Sequence, residues 1–127
     1  MARVTLIALV EDDLALRDAL ADLLEVSDYP CRTFEGSESF LAAHAPGRFD
    51  CLITDLNLIG ASGLQLLERL KTLEPALPVI VISAQTDPSV RRRVLQAGAL
   101  AYLTKPLNDQ VLLRHLAAAL GRGAPAA

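Results

Sequence analysis

Short apolar runs alternate with longer stretches of helical periodicity five times along the chain. The runs Val4 to Leu9, Cys31 to Phe34, Cys51 to Thr54, Val79 to Ser83 and Ala101 to Thr104 are apolar, often β-branched and bounded by turn residues. Each therefore predicts a strand. Strand-sized apolar runs separated by helix-length intervals form the pattern of a parallel sheet covered by helices on both faces. The predicted class is α/β, with five strand-helix pairs.

The helical intervals carry their own punctuation. In the first, Leu16, Ala19, Leu20, Leu23 and Leu24 fall on one face, leaving Arg17, Asp18 and Asp22 toward water. Ser62 with Gln65 three residues on reads as a capping box, and Asp87-Pro88 as an N-cap followed by the first helical residue. Gly98 and Gly121 stand where a left-handed residue closes a helix, and Pro75 and Pro78 stop the third helix before the fourth strand.

Composition narrows the function. A chain of 127 residues with 52% hydrophobic content is one domain with a sizeable core, expected over residues 1–121, followed by a flexible tail or linker over 122–127. Mean hydropathy is +0.35, but no apolar run approaches the roughly 18 residues of a membrane span. Met1-Ala2-Arg3-Val4 leads straight into a strand-like run without the regions of a signal peptide, so a soluble cytoplasmic chain is expected. A net charge of -3 offers no basic footprint for nucleic acid, so any DNA binding would lie outside this chain. Cys31 and Cys51 begin two strand-like runs, lack zinc spacing and read as packing residues.

Chemistry gathers at the strand ends. Glu11-Asp12-Asp13 follows the first strand and Asp55 the third, while Ser83 ends the fourth and Lys105-Pro106 follows the fifth. In open parallel sheets ligands bind outside the carboxyl ends of the strands, where strand order reverses. If the first strand is central and neighbours the third, Glu11, Asp12, Asp55, Ser83 and Lys105 share one crevice. Two carboxylates about 5 Å apart repel by about 3 kcal/mol at an effective dielectric near 20, and a hard divalent cation relieves this. Asp12 and Asp55 are the expected direct ligands of Mg²⁺, for which Mn²⁺ could substitute. Glu11 would act through water, and the Asn57 backbone carbonyl would complete the set. Such a set, with a Lys and a hydroxyl, suits a carboxylate that accepts a phosphoryl group.

From Val4 to about Leu120 the chain resembles the receiver domain of two-component response regulators. The resemblance rests on Leu9-Val10-Glu11-Asp12-Asp13, Thr54-Asp55-Leu56-Asn57-Leu58, Ser62-Gly63-Leu64, Val81-Ile82-Ser83-Ala84, Ala97-Gly98-Ala99 and Thr104-Lys105-Pro106-Leu107. It implies a doubly wound, flavodoxin-like (βα)5 fold of strand order 2-1-3-4-5. It further implies that Asp55 is the phospho-acceptor and that Ser83 and Lys105 each engage a phosphoryl oxygen. Tyr102 would be the aromatic that turns inward with Ser83, and the Lys105-Pro106 bond would be cis. A sensor histidine kinase or phosphotransfer protein would be the donor. The fourth helix, fifth strand and fifth helix would face an output partner or a second copy. Such a protein catalyses only its own phosphorylation and slow dephosphorylation, and is not otherwise an enzyme.

Two positions depart from the family pattern. Glu11 stands where aspartate is usual, lengthening the reach by one methylene, and Ile59 stands where many members carry proline, which bears on phosphoryl lifetime. Regulators with this overall pattern often carry a C-terminal helix-turn-helix domain.

Blander readings compete at single positions. Glu11-Asp12-Asp13 alone would be helix N-terminal acids, a reading retained for Asp13. Tyr102 alone would be a half-buried strand residue. Arg91-Arg92-Arg93 reads first as a solvated face and second as a partner contact, and His44 and His115 as structural or exposed. Three other functions are weighed. A pseudo-receiver would act as a phosphorylation-independent interaction module, but such chains normally lose an acid, the hydroxyl or the Lys. A phosphohydrolase of the haloacid-dehalogenase type would need an Asp where Asn57 stands. A flavodoxin-like cofactor binder would not set acids in its first loop, where they repel phosphate.

Overall fold

The computed structural model describes residues 5–57 and 62–121. Expectations that fall on Val4, Ile59 and residues 122–127 lie outside these. Ten elements alternate: β1 (Ile7–Val10), α1 (Leu14–Val26), β2 (Cys31–Phe34), α2 (Ser37–Ala43), β3 (Cys51–Asp55), α3 (Gly63–Leu73), β4 (Val79–Ser83), α4 (Pro88–Gln96), β5 (Ala101–Thr104) and α5 (Asp109–Ala119). The strands form one parallel sheet of order β2-β1-β3-β4-β5.

Pairing adjusts the predicted strand ends. The Leu6 N–H is taken by the Asp50 carboxylate at 2.8 Å, so the β1 ladder starts at Ile7, opposite Cys31 and Cys51. It runs one residue past Leu9, because Val10 pairs with both Phe34 and Thr54. Likewise β3 extends to Asp55, which pairs with Ile82.

The sheet divides the core in two. On one side, α2, α3 and α4 pack Phe40, Leu66, Leu67, Leu70 and Val94 against Ala8, Val10, Leu52, Val79 and Val81. On the other, α1 and α5 pack Leu20, Leu24, Leu112 and Leu116 against Ile7, Leu9, Ile53, Ile80 and Ile82. Alternate strand residues point to opposite faces, which is why odd and even positions of one strand serve different layers. All three phenylalanines of the chain, Phe34, Phe40 and Phe49, belong to the first layer and meet with ring centroids 5.5 to 5.9 Å apart. The four described isoleucines belong to the second.

Helix boundaries follow the predicted chemistry. Ser62 and Gln65 form the reciprocal capping box of α3, Asp87 caps α4 ahead of Pro88, and Asp13 caps α1 by accepting from the Leu16 N–H. Gly98 and Gly121 take φ of 108° and 71° after α4 and α5, and α3 ends before Pro75. The face of α1 needs correction at two places. Ala19 is exposed, its place on the buried side being taken by Ala21, and Arg17 is half-buried because it turns back to the β1–α1 loop. Cys51 is buried, which pushes its thiol up to about 12, and Cys31 is half-buried. His44 is structural: its Nε2 lies 2.8 Å from Glu74 Oε1, tying the end of α2 to the end of α3.

Candidate functional site

The crevice is built by four strand ends. At the end of β1 the Glu11 N–H donates to the Phe34 carbonyl of β2 at 3.0 Å, which carries the chain off the sheet in register with its neighbour. Glu11 Oε2 then accepts the Asp13 N–H at 3.0 Å, and Arg17 Nη1 donates to the Glu11 carbonyl at 3.0 Å. At the end of β3 the Leu56 N–H is held by the Ile82 carbonyl, and Asp55 Oδ1 accepts the Asn57 N–H at 2.9 Å.

Behind the end of β3, α3 starts in close contact. The Gly63 N–H donates to the Leu56 carbonyl at 2.8 Å, and a Cβ at position 63 would stand 2.8 Å from Leu56 Cα and closer still to the Asp55 carbonyl oxygen. Only glycine fits against this backbone.

Carboxylate oxygens of Glu11, Asp12 and Asp55 lie within 4.8 Å of one another. Glu11 is 0% exposed and Asp55 4%, while Asp12 is half-exposed. Lys105 Nζ sits 2.5 Å from Asp55 Oδ2 and 3.5 Å from Glu11 Oε1, so one ammonium serves two carboxylates. Even so, Glu11 Oε1 is buried without a hydrogen-bond partner. Burial raises the Glu11 carboxyl from 4.5 to about 7; nearby Asp55 adds to this, and the Asp13 N–H and Lys105 oppose it. Burial would lower the Lys105 ammonium, but its bonds and charge interactions with Asp55 and Glu11 outweigh that and raise it. A hard divalent cation fits this set, since it would satisfy the unpartnered oxygen and the excess negative charge together.

Ser83 ends β4 opposite Thr104, one residue beyond the partner of Asp55, and its carbonyl accepts the Lys105 N–H at 2.8 Å. Its Oγ accepts the Gln85 N–H at 3.0 Å, while the Gln85 carbonyl accepts the Tyr102 hydroxyl at 2.9 Å. Gln85 therefore links the hydroxyl to the aromatic ring. Tyr102 is buried, rather than half-buried as its strand position alone suggests. The Lys105-Pro106 bond is cis.

The structure thus brings Glu11, Asp12, Asp55 and Lys105 together directly and sets Ser83 and Tyr102 on the adjoining strands. Asn57 follows Asp55, and its N–H is committed to that carboxylate. Sequence reasoning missed Arg17 and Gln85. Arg17 carried a faint signal in its placement six residues after Glu11, whereas Gln85 acts through backbone atoms that any residue possesses.

Residues 7–117 match the response regulator receiver domain family. Among curated relatives, the transcriptional regulatory protein FixJ of Bradyrhizobium diazoefficiens is 29% identical over 95% of this chain and 59% of its own length. The DNA-binding transcriptional regulator NtrC of Salmonella typhimurium is 37% identical over 78% of this chain and 21% of its own. This chain thus spans about half, or less, of the length of such relatives. The BeF3-activated DrrB receiver domain is similar in structure, with a TM-score of 0.86 and 28% identity over 94% of this chain and 100% of that one. A CheY-like receiver domain from Methanospirillum hungatei has a TM-score of 0.87 at 28% identity, over 94% of this chain and 96% of that one.

The chain belongs to the response regulator receiver domain family of two-component systems. Its fold is the flavodoxin-like one of CheY-like domains, and its class is regulatory rather than metabolic. Among the described residues no helix is long and apolar enough to cross a membrane.

Proposed function

We propose that Asp55 accepts a phosphoryl group from a phosphohistidine on a sensor histidine kinase or phosphotransfer protein. The observation that carries this is the buried carboxylate cluster, which leaves Glu11 Oε1 unpartnered while Lys105 is shared between Asp55 and Glu11. An Asp55 carboxylate oxygen attacks phosphorus as the P–N bond to the donor imidazole breaks, and the leaving nitrogen keeps the electron pair. Bound Mg²⁺, or Mn²⁺ in its place, would supply the positive charge that offsets the repulsion between the Asp55 carboxylate and the incoming phosphoryl group. Asp12 and Asp55 would hold it directly, Glu11 through water and Asn57 through its backbone carbonyl. Lys105 releases its contact with Asp55 and pairs with a phosphoryl oxygen, and Ser83 Oγ donates to another.

The new charge of about -1.5 to -2 at Asp55 would bias α4, β5 and α5 through the Ser83–Gln85–Tyr102 connection. That face would engage an output partner, a second copy or an output domain in a longer chain. Relatives that are transcriptional regulators, FixJ and NtrC, support transcription control as the eventual output. The kinase would dock near α1 and the loops around Asp55, in the cytoplasm. A phosphorylation-independent module finds no support in the site, which keeps its acids, hydroxyl and Lys.

Intact mass after incubation with acetyl phosphate, with and without Mg²⁺, tests this. One added phosphoryl mass that requires Mg²⁺ and disappears in Asp55→Asn is the expected result. An unmodified wild-type chain that also fails to bind Mg²⁺ would sink the proposal.

A further inference from the structure

Two of the three clustered carboxylates sit on the turn Glu11-Asp12-Asp13, yet only one has its own restraint. Glu11 is fixed by the Asp13 N–H and by Lys105. The Asp12 side chain makes no hydrogen bond or ion pair among the described residues, so its aim depends on the backbone that carries it.

The peptide joining Glu11 to Asp12 is held from one end by Arg17, whose Nη1 donates to the Glu11 carbonyl at 3.0 Å. This is the guanidinium's one bond among the described residues. Glu35 lines the same cavity of about 300 Å³ as Arg17, but the two form no ion pair. With no carboxylate paired to it, the guanidinium has the Glu11 carbonyl as its bonded partner among the described residues. From the first turns of α1 it reaches back across the cap and braces the turn from which Asp12 projects.

We infer that Arg17 is a positioning residue for the metal cluster, fixing the Glu11-Asp12 peptide so that the Asp12 carboxylate points at the cation. This rests on the receiver reading above. Removing the brace leaves the ligands in place but lets the peptide rotate, so Asp12 must be ordered each time the cation binds. The cost therefore falls on metal affinity rather than on the phosphoryl-transfer rate once the site is filled. A guanidinium acting only through its charge has the opposite effect, because its loss would tighten cation binding.

The experiment compares wild type, Arg17→Ala and Arg17→Lys by calorimetric Mg²⁺ titration and by acetyl phosphate adduct formation across a Mg²⁺ series. Thermal denaturation in EDTA runs alongside. Arg17→Ala should raise the half-saturating Mg²⁺ concentration about tenfold while the maximal adduct rate at saturating Mg²⁺ is retained. Arg17→Lys, which keeps one donor of similar reach, should restore most of the affinity. If Arg17→Ala does not fold, Arg17→Gln, too short to reach the carbonyl, takes its place. Unchanged or tighter Mg²⁺ binding in the folded variant overturns the inference alone, as does a lowered transition temperature with no change in half-saturation. A wild-type chain that neither binds Mg²⁺ nor forms the adduct overturns the receiver reading and the inference with it.

Discussion

Glu11 shows how much one buried carboxylate can cost. Its carboxyl titrates at about 7 in the folded chain against 4.5 for the free group. The fold therefore prefers it neutral, and the associated stability is fully present below about 4.5 and lost as pH rises through about 7. At about pH 8 the ionised group costs ~3 kcal/mol. Glu11→Gln should be more stable than wild type by about that amount near pH 8, and by well under half of it near pH 5, in urea unfolding without metal. Saturating Mg²⁺ should narrow the gap by stabilising wild type more than the variant. Equal stability of the two chains at both pH values would mean that burial does not strain this carboxylate. Glu11, Asp12 and Asp55 were legible because acids after apolar strands are conspicuous. Arg17 was not, because an outward-facing position on a helical wheel says nothing of a long side chain folding back over its own N-cap.

At the scale of elements, α3 is joined to β3 by its first residues. The Ser62 cap and the fit of Gly63 against Asp55 and Leu56 bring the helix N-terminus behind Asp55. Gly63→Ala pushes a methyl group into backbone that cannot yield as a side chain would. It should cost ~1–3 kcal/mol in thermal unfolding and slow adduct formation at Asp55. Ser62→Ala, which removes only the cap, should cost ~1 kcal/mol and leave the adduct rate near wild type. If both variants slow the reaction equally, helix stability rather than the close approach sets the acceptor's position. The helix starts at Ser62 and Asp87 were legible from cap chemistry, which is local. Strand ends were less so, since Leu6 leaves the ladder for Asp50, 44 residues away, and Asp55 joins it through Ile82.

The whole molecule should unfold as one unit, because its two core layers share the same strands. Leu70 is buried among the residues on the α3 side and Leu112 among those on the α5 side. Leu70→Ala and Leu112→Ala should each cost ~2–5 kcal/mol, and each variant should still unfold in a single transition. Two separate transitions in either variant would show the layers to be independent. The layered plan was visible in the alternation of apolar runs and helical stretches, and strand order followed from the family resemblance. The sorting of side-chain types between the layers was not visible, because it follows from which face each strand residue presents. With phenylalanine confined to one layer and the described isoleucines to the other, the chain carries its own two-colour labelling. Ring resonances of the three phenylalanines speak for the α2–α4 side, and methyl resonances of Ile7, Ile53, Ile80 and Ile82 for the α1–α5 side. Two selectively labelled samples of the unmutated protein would separate a signal that stays beneath α4 from one that crosses the sheet.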